Sequence, residues 1–169
     1  MTESADGGLG IIEADGEQYA IRLERIYPAS AQALWLSLTN PGELRSWLGE
    51  LSGSVGPDAT FELMLTDDSA DIVRCRVRVF EPPHVLEVDW EPADEACSSL
   101  RFELTPQSGG TRFNLTHRAL TPVAATQYGA GWHTYLEQLA ASLTTGSGRG
   151  PQWDTRYEEL LQAYQTRRP

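Results

Sequence analysis

His117 is the group in this chain with the clearest chemical potential, because of where it falls. In TRFNLTHRAL (111–120), Phe113, Leu115, His117 and Ala119 occupy one side of a two-residue alternation, and Arg112, Asn114, Thr116 and Arg118 the other. That pattern is a half-buried strand, so the histidine is expected on the face that looks into the core. Three roles fit such a placement. It can be a core histidine with satisfied ring nitrogens. It can orient a ligand in an apolar pocket. Or it can act as a general base, which requires a partner to set its tautomer or pKa. No inward carboxylate offers itself. Arg25 is inward on the first predicted strand, and its charge, if close, favours neutral imidazole.

The other reactive side chains carry weaker signals. His84 follows Pro82-Pro83 and is expected at an exposed turn; His133 is expected at a surface or rim. Cys75 alternates inward on a strand, where a small buried hydrophobe is the expected role, and Cys97 opens a later strand. The two cysteines form no CxxC pair, so zinc-finger and thioredoxin readings fail. Cys75 and His117 are expected three strand spacings apart, about 14 Å, too far for one ion. No metal and no cofactor are expected. All 13 basic residues are arginine, which excludes a lysine Schiff base, a lysine base and the usual P-loop.

The elements that must position these groups read as follows. Residues 1–17 are acidic and Gly-rich and are expected to be flexible. QYAIRLERIY (18–27) is a strand with Ile21 and Leu23 inward. A helix opens at Pro28 and Ser30 and buries Leu34, Trp35 and Leu38, and a short one after Pro41 buries Leu44, Trp47 and Leu48. Four strands then alternate cleanly: 60–66 with Phe61, Leu63 and Leu65 inward, 71–80 with Val73, Cys75, Val77 and Val79, 84–90 with Leu86, Val88 and Trp90, and 98–105 with Leu100, Phe102 and Leu104. Gly109-Gly110 marks a hairpin into the strand of His117. Thr121-Pro122 caps a long helix whose stripe is Tyr128, Trp132, Tyr135 or Leu136, Leu139 and Leu143. Gly129 and Gly131 permit close approach or a bend there. Residues 146–152 read as a linker and 153–169 as an amphipathic helix, with Thr155 and Glu158 at capping-box spacing. That helix is expected to fold back on the domain, with self-association into a homodimer the alternative. Short connections imply an antiparallel sheet with one wet face. On that face the arginines are expected to pair with Glu62, Glu87, Asp89 and Glu103 rather than to form a binding stripe.

A net charge of −11 argues against a general nucleic-acid binder and against attachment to an anionic membrane. The N-terminus has no signal-peptide pattern and no apolar run is long enough for a membrane helix, so a cytoplasmic location is expected.

The order of strand, two short helices, antiparallel strands and long helix resembles the START-like (SRPBCC) helix-grip fold, an α+β architecture in which a curved sheet wraps a long C-terminal helix. Within it, RIYPASAQALWLSLTNPGELRSWLG resembles the entry segment of the family of homologues of the activator of the heat-shock-protein-90 ATPase. The residues that carry this are Arg25, Pro28, Trp35, Thr39, Pro41 and Trp47. GGTRFNLTHRAL resembles that family's late Gly-Thr strand, which often has a histidine at the place of His117, and Gly131-Trp132 with Leu136 and Leu139 resembles its final helix. The resemblance covers about residues 18–144. It departs at His133, where the family commonly has an acidic or neutral residue. The family has no single activity; the superfamily includes lipid and sterol carriers, hormone receptors and polyketide aromatase/cyclases.

The resemblance implies a cavity between sheet and final helix. Its expected lining is Phe61, Val88, Trp90, Phe102, Phe113, Leu115 and His117 from the sheet and Trp132, Tyr135 and Leu136 from the helix, with Trp35 and Trp47 closing one end. The expected function is binding of a small apolar or aromatic molecule, with no chemistry and no catalytic residue. One alternative is a cyclase, dehydratase or hydrolase using His117, disfavoured by the missing lysine and inward acid. The other is a chaperone-accessory or other protein-interaction module using the acidic surface or last helix.

Overall fold

The computed structural model describes residues 8–65, 71–146 and 152–167. Eight strands form one antiparallel sheet: β1 (Ile11–Asp15), β2 (Gln18–Tyr27), β3 (Gly49–Ser52), β4 (Thr60–Leu65), β5 (Ile72–Glu81), β6 (Val85–Pro92), β7 (Ser98–Gln107) and β8 (Gly110–Leu120). Their spatial order is β1-β2-β8-β7-β6-β5-β4-β3. Helices α1 (Ala31–Thr39) and α2 (Pro41–Arg45) cross from β2 to β3, at opposite halves of the sheet, and α3 (Pro122–Thr145) and α4 (Trp153–Gln165) follow β8. This is the α+β helix-grip architecture.

Local chemistry explains the helix starts. Ser30 Oγ accepts from Ala33 N at 3.1 Å, Asn40 Oδ1 accepts from Gly42 N and Glu43 N at 3.0 and 3.2 Å, and Thr121 Oγ1 accepts from Ala124 N at 3.1 Å. Each satisfies N–H groups that the first helical turn leaves without partners. α4 lacks the expected capping box. It begins at Trp153, before Thr155, and Gln152 gives it no side-chain cap.

The inward faces of β4 to β8 match the alternation except at the strand ends, where Leu65 is half-buried and Val79, past a register shift between β5 and β6, is half-buried too; α3 packs along β2 and β8. The wet face is laced with pairs: Arg78 to Asp89, Arg101 to Glu87 and Glu103, Arg112 to Glu24, Arg118 to Asp15 and Arg22 to Glu13. All of them are exposed or partly exposed, so they favour sheet register more than stability.

Two expectations are corrected, and a third falls mostly outside the described residues. Residues 11–15, inside the segment expected to be flexible, form the edge strand β1, pairing Ile12 with Ile21 and Ala14 with Tyr19. The linker expected over 146–152 lies outside the described residues except at its ends, where Gly146 closes α3 with φ 76°. Ala119 does not continue the inward face. It takes φ 64°, the β2–β8 register shifts between Tyr19 and Ile21, and Leu120 is buried in its place. This bulge turns the strand directly after His117.

Candidate functional site

β8 does place His117 inward, and it is fully buried. Both ring nitrogens are taken. The Trp132 indole N–H donates to Nδ1 at 3.0 Å, so Nδ1 is the unprotonated nitrogen and Nε2 carries the hydrogen. Nε2 faces Ser98 Oγ at 2.7 Å, and Ser98 Oγ donates onward to the Trp90 carbonyl at 3.4 Å. The chain Trp132–His117–Ser98–Trp90 is complete, and each buried polar atom in it is satisfied. Tyr128 lies over the imidazole with ring centroids 4.3 Å apart, and Trp90 and Trp132 meet it edge-on at 6.0 and 6.2 Å. Burial alone lowers its pKa to about 3, because a charged imidazole here has no counter-ion. A cation would also have to donate from Nδ1, against the Trp132 N–H. The arrangement describes a structural histidine, not a base.

Arg25 is inward and buried, but it sits opposite Phe113 while His117 sits opposite Ile21. Its charge acts on His133 instead. His133 is the second correction among the histidines: it is 2% exposed rather than at a rim. Its Nδ1 meets the Tyr164 hydroxyl at 2.9 Å, and that hydroxyl accepts from Gly10 N at 2.7 Å. Tyr164 therefore donates to Nδ1, and the ring hydrogen is on Nε2, 3.6 Å from Glu137. Burial, then Arg25 and Arg156, hold its pKa down at about 3. The Glu137 carboxylate does not reverse this because Arg156 on α4 already grips it, with contacts of 2.6 and 2.9 Å. His84 is exposed, as expected. The Cys75 thiol is fully buried and burial pushes it up to about 12, an inert thiol.

These bonds fasten α4 onto α3. Gly129 makes the contact feasible. A Cβ there would lie 3.0 and 3.1 Å from two Tyr164 ring carbons, so the glycine lets that ring seat closer to the helix than a larger residue would. The last helix folds back on its own domain.

The space between sheet and α3 is filled by the side chains expected to line it. Under α1 and α2 the described residues enclose a small chamber of about 20 Å³, walled by Phe61, Val88, Trp90 and Phe102 with Leu38 and Leu44. Trp35 packs edge-on against Phe80 at 5.3 Å, and Trp47 donates to the Ser37 carbonyl at 2.9 Å. Phe113 and Leu115 are fully buried in the core with Leu136.

The open space lies elsewhere. A groove of about 470 Å³ runs between α3, α4 and the ends of β4 to β6. Of the twelve residues expected at a ligand site, Trp90, Trp132 and Tyr135 line it. Tyr128, Trp153 and Tyr157 line it too, and complete a continuous aromatic wall. Trp90 to Trp132 spans 5.3 Å between centroids, Trp132 to Tyr135 6.0 Å and Tyr135 to Trp153 5.4 Å, and Trp153 stacks on Tyr157 at 4.8 Å and 13°. Gly131 forms part of the floor, and a Cβ there would meet no atom within 4 Å. Asp71, Glu95, Asp154 and Glu158 stand in the lining, all exposed. The sequence signal for the α4 side was its stripe of Trp153 and Tyr157; what could not be read was which surface that stripe would meet.

The fold and its inward aromatic helix define a START-like protein. The chain belongs to the family described as Activator of Hsp90 ATPase homolog 1-like protein, whose pattern matches residues 28–144. Solved structures share the fold. CalU16 from Micromonospora echinospora aligns over 94% of each chain at 20% identity with TM-score 0.75. The protein encoded by gene BPP1335 from Bordetella parapertussis aligns over 99% of this chain and 95% of its own, at 30% identity and TM-score 0.71. DynU16, from the dynemicin biosynthetic locus, aligns at 23% identity and TM-score 0.71 over 76% of this chain, which spans 48% of that one. Comparison with curated proteins gave no match. α4 and its half of the groove lie beyond the family match. Among the described residues no helix is long and apolar enough to cross a membrane.

Proposed function

We propose that the protein binds a small, largely aromatic or apolar molecule in the groove between α3 and α4, without chemistry on it. The observation that carries this is the unbroken aromatic wall from Trp90 to Tyr157 beside about 470 Å³ of open space. A groove of that size falls in the range of small-molecule sites. Trp90, Trp132 and Tyr135 are buried behind the wall, while Tyr128, Trp153 and Tyr157 are half-buried and keep ring surface that a ligand would cover. The catalytic alternative loses its base, since His117 is neutral, buried and doubly hydrogen-bonded. The chamber beside Phe61 and Phe102 holds only about 20 Å³, which favours the groove as the place of binding.

The test uses the neutral probe N-phenyl-1-naphthylamine, whose emission rises in apolar surroundings. Wild type is expected to bind it saturably. Gly131→Leu places a side chain in the groove where nothing stands and is helix-favouring; it is expected to lose at least about tenfold in affinity while melting at or above the wild-type temperature. Equal binding by wild type and Gly131→Leu would place the ligand elsewhere.

A further inference from the structure

The groove has a charge as well as a shape. Its described lining holds four carboxylate side chains, Asp71, Glu95, Asp154 and Glu158, and no arginine, lysine or histidine. The carboxylates come from the β4–β5 and β6–β7 connections and from the first turns of α4, so they ring the opening rather than cluster on one side. The aromatic faces point the same way electrostatically, because the face of an indole or phenol ring is the negative part of its quadrupole. The whole chain adds a net charge of −11, and a cleft lined by one sign focuses that field. The carboxylate rim and the aromatic walls thus favour positive charge in one apolar-walled space. An anion entering it would meet repulsion from Asp71, Glu95 and Glu158.

We infer that the ligand is an organic cation: a flat aromatic or polycyclic molecule carrying an amine or quaternary ammonium group, its rings against Trp153 and Tyr157 and its charge toward the carboxylate rim. This rests on the groove being the binding site. It adds what that reading leaves open, the sign of the ligand's charge. Trp153, Asp154, Tyr157 and Glu158 lie on α4, outside the residues matched to the family, whereas Asp71 and Glu95 lie within them.

Three tricyclic probes of one ring system separate the ideas near neutral pH: 9-aminoacridine, a cation; acridine, neutral; and acridine-9-carboxylate, an anion. Binding is followed by fluorescence anisotropy of the probe at low salt, with wild type, Gly131→Leu and the double variant Asp71→Asn/Glu158→Gln. The cation is expected to bind at least about tenfold tighter than acridine, and the anion weakest. The double variant is expected to weaken the cation about fivefold or more while leaving acridine within about twofold. Gly131→Leu is expected to abolish binding of the cation and of acridine. If all three probes bind wild type within about twofold and Gly131→Leu abolishes all of them, the groove stands and the cation inference is overturned. If no probe binds, or Gly131→Leu changes nothing, the groove reading itself fails and takes the inference with it.

Discussion

His117→Ala is expected to cost about 4 kcal/mol of stability. The substitution leaves a ring-sized void among Trp90, Tyr128 and Trp132, comparable to truncating a buried aromatic residue. It also strips the Trp132 indole N–H of its acceptor in a dry interior. Since a domain of this kind has only about 5–15 kcal/mol in total, the alanine variant can fail to fold, and His117→Phe is the companion. Phenylalanine fills the space but cannot titrate or bond. A structural histidine and a catalytic one then part on pH. The unfolded ring takes up a proton below about 6.5, while the folded ring, at about 3, does not. The unfolded state therefore binds more protons throughout that window. The histidine's stabilising contribution is whole above 6.5 and is lost as pH falls toward 3, by about 1.4 kcal/mol per pH unit. Buried His133 acts in the same direction. Denaturant melts between pH 5 and 6 should show His117→Phe less acid-sensitive than wild type by about one proton's slope. Identical slopes would mean that the folded histidine titrates normally and that the Trp132–His117–Ser98 chain is not formed.

Gly129→Val is expected to release α4. The added side chain starts 3.0 Å from Tyr164 and 3.3 Å from Ile21. The Tyr164 ring must leave, and its hydroxyl gives up both Gly10 N and His133 Nδ1. Overpacking and two lost buried hydrogen bonds together amount to about 3–4 kcal/mol. The sheet and α3 do not depend on this contact, so the far-ultraviolet spectrum should change little while proteolysis within 146–169 accelerates at least about tenfold. Probe binding should vanish as well, because Trp153 and Tyr157 leave with the helix. Gly131→Leu, two residues further on, is expected to lose the probe and keep α4. A Gly129→Val protein with protected α4 and intact binding would show that the helix is held by other contacts.

The contrast between these two glycines marks where sequence reasoning reaches its limit. Both weaken α3 equally on paper, and both sit beside its aromatic stripe. Only the fold shows that Tyr164 occupies one and empty space the other. The strands were legible because a two-residue period is local and β4 to β8 hold it; the caps at Ser30, Asn40 and Thr121 were legible because capping needs only neighbours along the chain. β1 was not, since a five-residue edge strand with one buried side chain has the composition of a mobile tail. Ala119 was misplaced because a bulge breaks the period without any glycine or proline to announce it. His133 looked peripheral on the α3 stripe, yet α4 covers that flank, and such a contact is set by residues some thirty positions away. Whether the twelve side chains expected at a ligand site wall a pocket or fill it is set by their packing, which no local pattern carries.

The most direct test is the indole region of a proton–nitrogen NMR spectrum during titration with N-phenyl-1-naphthylamine. The chain's five tryptophans report on two places. Trp90, Trp132 and Trp153 line the groove, whereas Trp35 and Trp47 close the far end of the packed interior. The account predicts that the Trp153 and Trp132 indole signals move with saturation while Trp47 stays fixed. Movement of Trp35 and Trp47 with a stationary Trp153 would put the ligand between sheet and helix after all, and would contradict the groove as the site.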